Sequence, residues 1–191
     1  MPGKFLNEAR FGEIRRAIDA GVPHILEARD HLMDRAEEAL TQPRLSVRDN
    51  GGSPFFRQDA AYIPGQDGVR NAQANHESGK LAGRFSATVL DLAIAYRLTG
   101  ESRFADKALE LIHCWCINQN TRMFPGGFVQ DAFTPGAQYG GDIILFACFN
   151  NAFLAMYLLD DYPGWDIYCQ AAVKKWVRDM VEPQRKLMFF D

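Results

Sequence analysis

The sequence lacks an excess of charge of either sign. Its 191 residues include 21 Lys and Arg against 24 Asp and Glu, which gives a formal net charge of −3. Nucleic-acid-binding domains are typically basic, so this balance argues against that class of function. Hydrophobic residues make up 47% of the chain. That share excludes an intrinsically disordered protein, because disorder requires low hydrophobicity together with high net charge.

Long apolar runs are also missing. The longest, residues 143–159, is interrupted by Asn150 and Asn151, and it falls short of the roughly 20 apolar residues that cross a membrane. The first ten residues contain no apolar segment of the signal-peptide type. We therefore predict no membrane association, and a cytoplasmic location stays open.

Cysteine is scarce, and the chain contains no C-x-x-C motif and no Cys/His spacing of the zinc-binding type. Cys114, Cys116, Cys148 and Cys169 all fall in apolar, helical surroundings, which is typical of buried free thiols. We predict no disulfide, no metal site and no cofactor.

What the sequence does contain is helical periodicity. Apolar residues recur at spacings of three and four, with breaks at Gly and Pro, and no strand pattern of any length is visible. Gly100 stands where a helix C-terminal cap is expected, and Ser102 can start the next helix. The predicted helices cover residues 8–20, 23–40, 81–96, 102–115, 142–159 and 165–181.

Two irregular segments, residues 41–77 and 118–141, are rich in Gly and Pro. Loops of this length are uncommon inside compact domains unless they act as lids or binding loops. Short turns at one end of helical hairpins and long loops at the other suit an α/α toroid or barrel. We predict an all-α fold of antiparallel helical hairpins, forming a single α/α-toroid domain over residues 1–191 with residues 41–77 as a lid-like loop.

An ordered series of motifs runs through residues 88–160. Residues 92–105 read LAIAYRLTGESRFA, residues 118–125 read NQNTRMFP, and Gln130 and a Gly-rich stretch at 136–144 follow. In this order they resemble the alginate-lyase-like polysaccharide lyases. The hairpin of that family reads LALAYxLTGDxRYA, and a T-R-M-x-P stretch, a YAQ loop and a Gly-rich loop come after it.

The chain departs from the family pattern at two points. Phe124 replaces the Asn that family members carry after Arg-Met. The Asn-Asn-His catalytic segment of the family is expected after the last predicted helix, and the sequence reaches Asp191 before it. The resemblance therefore implies the N-terminal portion of an incomplete toroid, with part of the catalytic set beyond residue 191. We expect its apolar end to pack against a missing C-terminal portion or a second copy of the chain.

The resemblance implies β-elimination on a uronate polymer, which needs a base and an acid within reach of the sugar. His76 is the one histidine of four in an irregular segment, and it is our candidate for the base or a substrate contact. Tyr139, at a predicted helix start, is the candidate proton donor or stacking group. The alternative for each is a loop residue that packs without a chemical role.

The candidate substrate-binding residues neutralise the sugar carboxylate or bind hydroxyls. Gln130 is chosen by its motif match, Arg57 and Tyr62 by their place in the lid-like loop, and Asn71 as a hydroxyl ligand. Each is equally compatible with a loop anchor or a turn. Together with Arg57, the arginines at positions 70, 84 and 122 predict a positive groove.

The predicted function is cleavage of an anionic uronate polymer such as alginate or glucuronan. Two alternatives stay open. One is an α/α-barrel glycoside hydrolase, which needs two carboxylates facing across a groove. The other is a non-catalytic helical carbohydrate-binding module. The predicted partner is an anionic polysaccharide, with neither nucleic acid nor membrane. Resembling enzymes are commonly exported, although no signal peptide is visible here.

Overall fold

The computed structural model describes residues 6–58, 63, 66, 68–125, 128–130 and 147–188. Within these ranges the fold is a set of antiparallel helical hairpins with one short strand pair. The elements are α1 (Glu8–Asp19), α2 (Pro23–Thr41), β1 (Phe56–Gln58), α3 (Glu77–Thr99), α4 (Ser102–Cys116), β2 (Phe128–Gln130), α5 (Asn150–Leu158) and α6 (Ile167–Met188), with a 3₁₀ turn at Val47–Asp49.

The first hairpin forms where the sequence signals place it. The Asn7 side chain accepts a hydrogen bond from the Arg10 backbone N–H at 2.9 Å and so caps the start of α1. Pro23 occupies the first turn of α2, where its missing N–H costs nothing. Gly21 between the helices has φ 71°, a value that favours glycine.

The α3–α4 hairpin confirms the predicted glycine cap. Gly100 has φ 76°, and its N–H donates to the Tyr96 carbonyl at 2.7 Å. Helix α3 is the central element, and it packs against α2, α4 and α5. Its face that carries Phe85, Val89 and Leu92 is fully buried, so most of the core is organised around this helix.

All three tryptophans lie in the core. Trp115 is fully buried and stacks on Phe85 with ring centroids 4.6 Å apart and an interplanar angle of 7°. Trp165 and Trp176 are 8% and 3% exposed. Large aromatic side chains contribute strongly to core stability because each buries a wide apolar surface.

The last two helices differ from the predicted boundaries. Within the predicted helix 142–159 the described part has a turn at residues 148–149, and α5 begins at Asn150. Helix α6 begins at Ile167 and extends to Met188. Its start is set by Asp166, whose carboxylate accepts from the Tyr168 and Cys169 backbone N–H groups at 2.6 and 3.1 Å, as an N-cap residue does.

The strand pair is the feature that the sequence did not predict. Strands β1 and β2 pair in parallel, with Arg57 opposite Val129 and Gln58 opposite Gln130. A three-residue strand is too short to show an alternating pattern, and its partner lies about 70 residues along the chain. Only the packing of the two long loops brings the strands together.

The cysteines are all free thiols in the structure. Cys114 and Cys116 are buried, whereas Cys148 and Cys169 are only partly buried. Among the described residues no helix is both long enough and apolar enough to cross a membrane.

Candidate functional site

The two long loops meet where α2 ends, α3 begins and α4 ends. Three hydrogen bonds join residues 46–54 of the first loop to residues 119–124 of the second. The Ser46 hydroxyl donates to the Thr121 carbonyl at 2.6 Å, the Arg48 guanidinium to the Gln119 carbonyl at 3.2 Å, and the Phe124 N–H to the Pro54 carbonyl at 2.7 Å. These contacts define the candidate site as a loop surface at one end of the helices.

The Thr121-Arg122-Met123 segment anchors the second loop to the core. The buried Thr121 hydroxyl donates to the Cys114 carbonyl at 2.7 Å and accepts from the Cys114 thiol at 3.3 Å. Met123 is fully buried, and its carbonyl accepts from the Trp176 indole at 2.9 Å. Thr121 and Met123 are therefore structural, and half-buried Arg122 between them is the residue left to face a ligand.

The strand pair brings the backbones of two predicted binding residues close together, although the register places these two positions on opposite faces of the pair. Arg57 lies on β1 and Gln130 on β2, one register position apart. Neighbouring strands lie about 4.8 Å apart, so both backbones pass through one small region. The structure describes the backbone of these residues and not their side chains, so their binding roles stay predictions.

His76 immediately precedes α3, at the same end of the helices. Its side chain is half-buried, and its Nδ1 atom is buried without a hydrogen-bond partner among the described residues. A buried polar atom without a partner carries a desolvation cost. A ligand-binding site is one place where such a cost is expected. The assignment of His76 as a base stays a prediction.

The remaining predicted site residues are not brought to His76 by any described contact. The Asn71 carboxamide oxygen accepts from the Gln73 N–H at 3.1 Å, which is the turn-forming role that asparagine commonly plays. Tyr62 and Tyr139 lie outside the described residues. Their proposed stacking and proton-donating roles therefore rest on the sequence.

An amide network beside His76 was missed by the sequence reasoning. The Asn75 side-chain N–H donates to the Asn50 carboxamide oxygen at 3.2 Å, and the Asn50 side-chain N–H donates to the Ser78 hydroxyl at 3.0 Å. Asn50 precedes Gly51-Gly52, a pattern that indicates a turn. That local signal concealed the long-range role of the Asn50 side chain.

Three of the arginines that predict a positive groove have no carboxylate partner among the described residues. Arg70 and Arg84 are exposed and Arg122 is half-buried, and none of the three forms an ion pair within the described ranges. An arginine that no neighbouring carboxylate neutralises is available to an external anion. The predicted positive groove with Arg57 stays a prediction.

One groove among the described residues lies away from the predicted site residues. A groove of about 270 Å³ between α5 and α6 is lined chiefly by apolar side chains, among them Phe153, Met156, Trp165 and Val173. In the part of the chain that the structure describes, no group of three or more His, Cys, Asp or Glu side chains is arranged to hold a metal ion.

Comparison with known proteins was informative for both family and fold. Residues 27–187 match the model of the alginate lyase family. The structure is similar to the crystal structure of an alginate lyase from Bacteroides ovatus, solved at 1.60 Å resolution, with a TM-score of 0.75 and 21% sequence identity. This likeness shows the fold, an all-α toroid. No curated protein matches the chain.

The similarity covers the two chains unequally. It includes 93% of this chain but 52% of the Bacteroides protein. The chain thus spans about half the length of that alginate lyase.

Proposed function

Because this chain belongs to the alginate lyase family, we propose that it acts on an anionic uronate polymer of the alginate or glucuronan kind and cleaves it by β-elimination. The observation that carries the proposal is the family match over residues 27–187. Arg122, where the two long loops meet, supports it, because an arginine without an acidic partner among the described residues suits a polyanion.

The elimination divides into three tasks. Gln130 neutralises the C6 carboxylate, which makes the C5 proton acidic enough to remove, and Arg57 binds the carboxylate of a neighbouring sugar. His76 takes that proton, and the electron pair left on C5 forms the C4–C5 double bond as the C4–O4 bond breaks. Tyr139 gives its proton to the departing O4. Tyr62 and Asn71 bind neighbouring sugars.

The experiment follows the unsaturated product. We expect the chain, incubated with alginate or glucuronan, to raise ultraviolet absorbance, because the new double bond is conjugated with the carboxylate. His76→Gln should lower the rate by about 10²–10⁴-fold, the usual contribution of a general base. His113→Gln is the matched control, since His113 is an exposed residue of α4.

Two results would contradict the proposal. New reducing ends without absorbance would indicate hydrolysis, and polymer binding without any new ends would indicate a carbohydrate-binding module. Equal rates for His76→Gln and His113→Gln would remove His76 from the mechanism while leaving the lyase activity in place.

A further inference from the structure

We propose that Asn50 is a positioning residue that fixes His76 in the candidate site. The inference rests on the proposed function for its purpose, because a base must be held in one orientation to be useful. The geometry on which it stands is independent of the reaction. It consists of a two-sided hydrogen-bonded clamp on the residues that flank His76.

The Asn50 side chain reaches both flanks of His76. Its oxygen accepts from the side chain of Asn75, one residue before His76, at 3.2 Å. Its N–H group donates to the hydroxyl of Ser78, two residues after His76, at 3.0 Å. Ser78 is fully buried and Asn50 is half-buried, so this second bond is partly shielded from water, and a buried Ser78 hydroxyl that loses its partner is costly.

Asn75 closes the clamp across His76. Its side-chain oxygen accepts from the Glu77 N–H at 2.9 Å, an Asx turn that spans His76. His76 itself has φ −111° and ψ 17°, outside the helical and extended regions. The backbone at His76 is therefore defined by the side chain of Asn75, and Asn50 holds that side chain.

The His76 ring depends on this backbone support. Its buried Nδ1 atom has no hydrogen bond to any described residue, so no such bond orients the ring through that nitrogen. The ring direction then follows from the backbone and from packing. The clamp bonds Asn75 and Ser78 on either side of His76. By fixing the backbone there, it sets the direction of the His76 imidazole.

The clamp is also connected to the second loop. Asn50 ends the 3₁₀ turn, and its N–H donates to the Val47 carbonyl at 3.1 Å. The turn starts at Ser46, which forms a capping box with Asp49 and donates its hydroxyl to the Thr121 carbonyl at 2.6 Å. A path of hydrogen bonds and of the short 3₁₀ turn thus runs from the segment that carries Arg122 to the two residues that flank His76, Asn75 and Ser78.

The test measures the NMR signals and the chemical modification rate of the His76 imidazole in the full chain. The protein has four histidines, and His24, His31 and His113 are exposed, so they serve as internal controls for labelled-histidine NMR and for chemical modification. We expect Asn50→Ala to shift the His76 ring signals and to raise its modification rate roughly tenfold, as two lost hydrogen bonds imply. The other three histidines should not change.

Ser78→Ala removes the hydrogen bond between Asn50 and residue 78. It should shift the His76 ring signals less than Asn50→Ala does and leave the other histidine signals unchanged. This variant decides the question if Asn50→Ala folds poorly. Asn151→Ala, an exposed asparagine of α5, is the matched control and should match the wild type. Unchanged His76 signals in folded Asn50→Ala, or equal shifts at all four histidines, would overturn the proposal.

Activity separates this inference from the proposed function. If the wild-type chain produces no unsaturated sugar, the proposed function fails, and the NMR and modification results still decide the positioning role. If it is active, Asn50→Ala should lower kcat about tenfold with KM nearly unchanged, because the lost bonds orient a base rather than bind substrate.

Discussion

The arginines beside the short hairpin turns and those in the long loops have opposite surroundings. Arg97 pairs with Asp161, and Arg103 pairs with Glu37 and with Glu101. In the long loops Arg70 and Arg122 have no acidic partner among the described residues. Exposed ion pairs contribute little to stability, so the difference concerns what each surface can bind. The arginines beside the turns are already paired with carboxylates, and the two loop arginines have none among the residues that the structure describes.

The two regions are also held by different means. The turns are stabilised by local devices, such as the cap at Gly100 and the N-cap at Asp166. The long loops are held by contacts between distant segments, for example Ser46 with Thr121 and Met123 with Trp176. Perturbing a loop contact should therefore move the candidate site, whereas perturbing a turn should change stability alone.

The largest effect is expected from Met123→Ala. This change empties a fully buried position and should lower the free energy of unfolding by about 2–5 kcal/mol. Leu159→Ala, equally buried near a short turn, should cost a similar amount. Only Met123→Ala should also speed proteolysis of residues 42–58, measured by limited digestion. Equal rates of digestion of residues 42–58 in the two variants would contradict the distinction between the long loops and the short turns.

The next effect concerns polymer binding. Arg57→Ala and Gln130→Ala should each weaken alginate binding without unfolding the protein, by about tenfold for Arg57, since a hydrogen bond to a charged group contributes about 1.5–3 kcal/mol. The measurement is calorimetric titration at low salt with circular dichroism as the folding control. Unchanged binding in both variants would rule out these two residues as carboxylate contacts.

A smaller effect is expected at the turn before α6. The Tyr162 hydroxyl donates to the Asp106 carboxylate at 2.6 Å, and this bond, with burial, raises the pKa of Tyr162 above its ordinary value. The hydrogen bond from Tyr162 therefore stabilises the fold below the tyrosine pKa of the unfolded chain, which is about 10. This stabilisation is lost as the pH rises through the higher pKa that Tyr162 has in the folded protein.

Tyr162→Phe should therefore lower Tm at about pH 8. It should also make Tm decline less steeply between about pH 9 and about pH 11, the range in which a tyrosine titrates. Polymer binding should not change. A wild-type Tm that declines no more steeply than that of the variant would show that the Asp106 bond has no influence.

The smallest effect is expected from Arg103→Ala. Both carboxylate partners of Arg103 are exposed, and such pairs are weakened by solvent and salt. Polymer affinity should equal that of the wild type, while Arg122→Ala lowers it in a salt-dependent way. Equal losses for Arg103 and Arg122 would mean that the polymer senses overall charge rather than the loop surface.

Much of the fold could be predicted from local signals. The helix starts at Pro23 and Ser102 and the end at Gly100 agree with the structure. The predicted start of α6 lies two residues too early, because Trp165 continues the apolar stripe of the helix. The actual start is set by the Asp166 side chain, which caps the helix. The strand pair escaped notice because its partners are distant in sequence.

The candidate site was predicted less completely. A motif directed attention to Gln130, and the irregular first loop directed it to His76 and Arg57; the family match supports a lyase, the class of enzyme for which these residues were chosen. These signals carried no information on Asn50, because a side chain that bonds residues 25 and 28 positions away leaves no local pattern. Such contacts exist only after the loop has folded back onto α3.

The sequence by itself determined the helices, the short turns and the family, because periodicity, caps and ordered motifs act over a few residues. The tertiary structure alone decided which loops meet, which arginines remain without an acidic partner among the described residues, and which side chains hold His76. Those features depend on loop closure between segments tens of residues apart, whose entropic cost is met by the packed core.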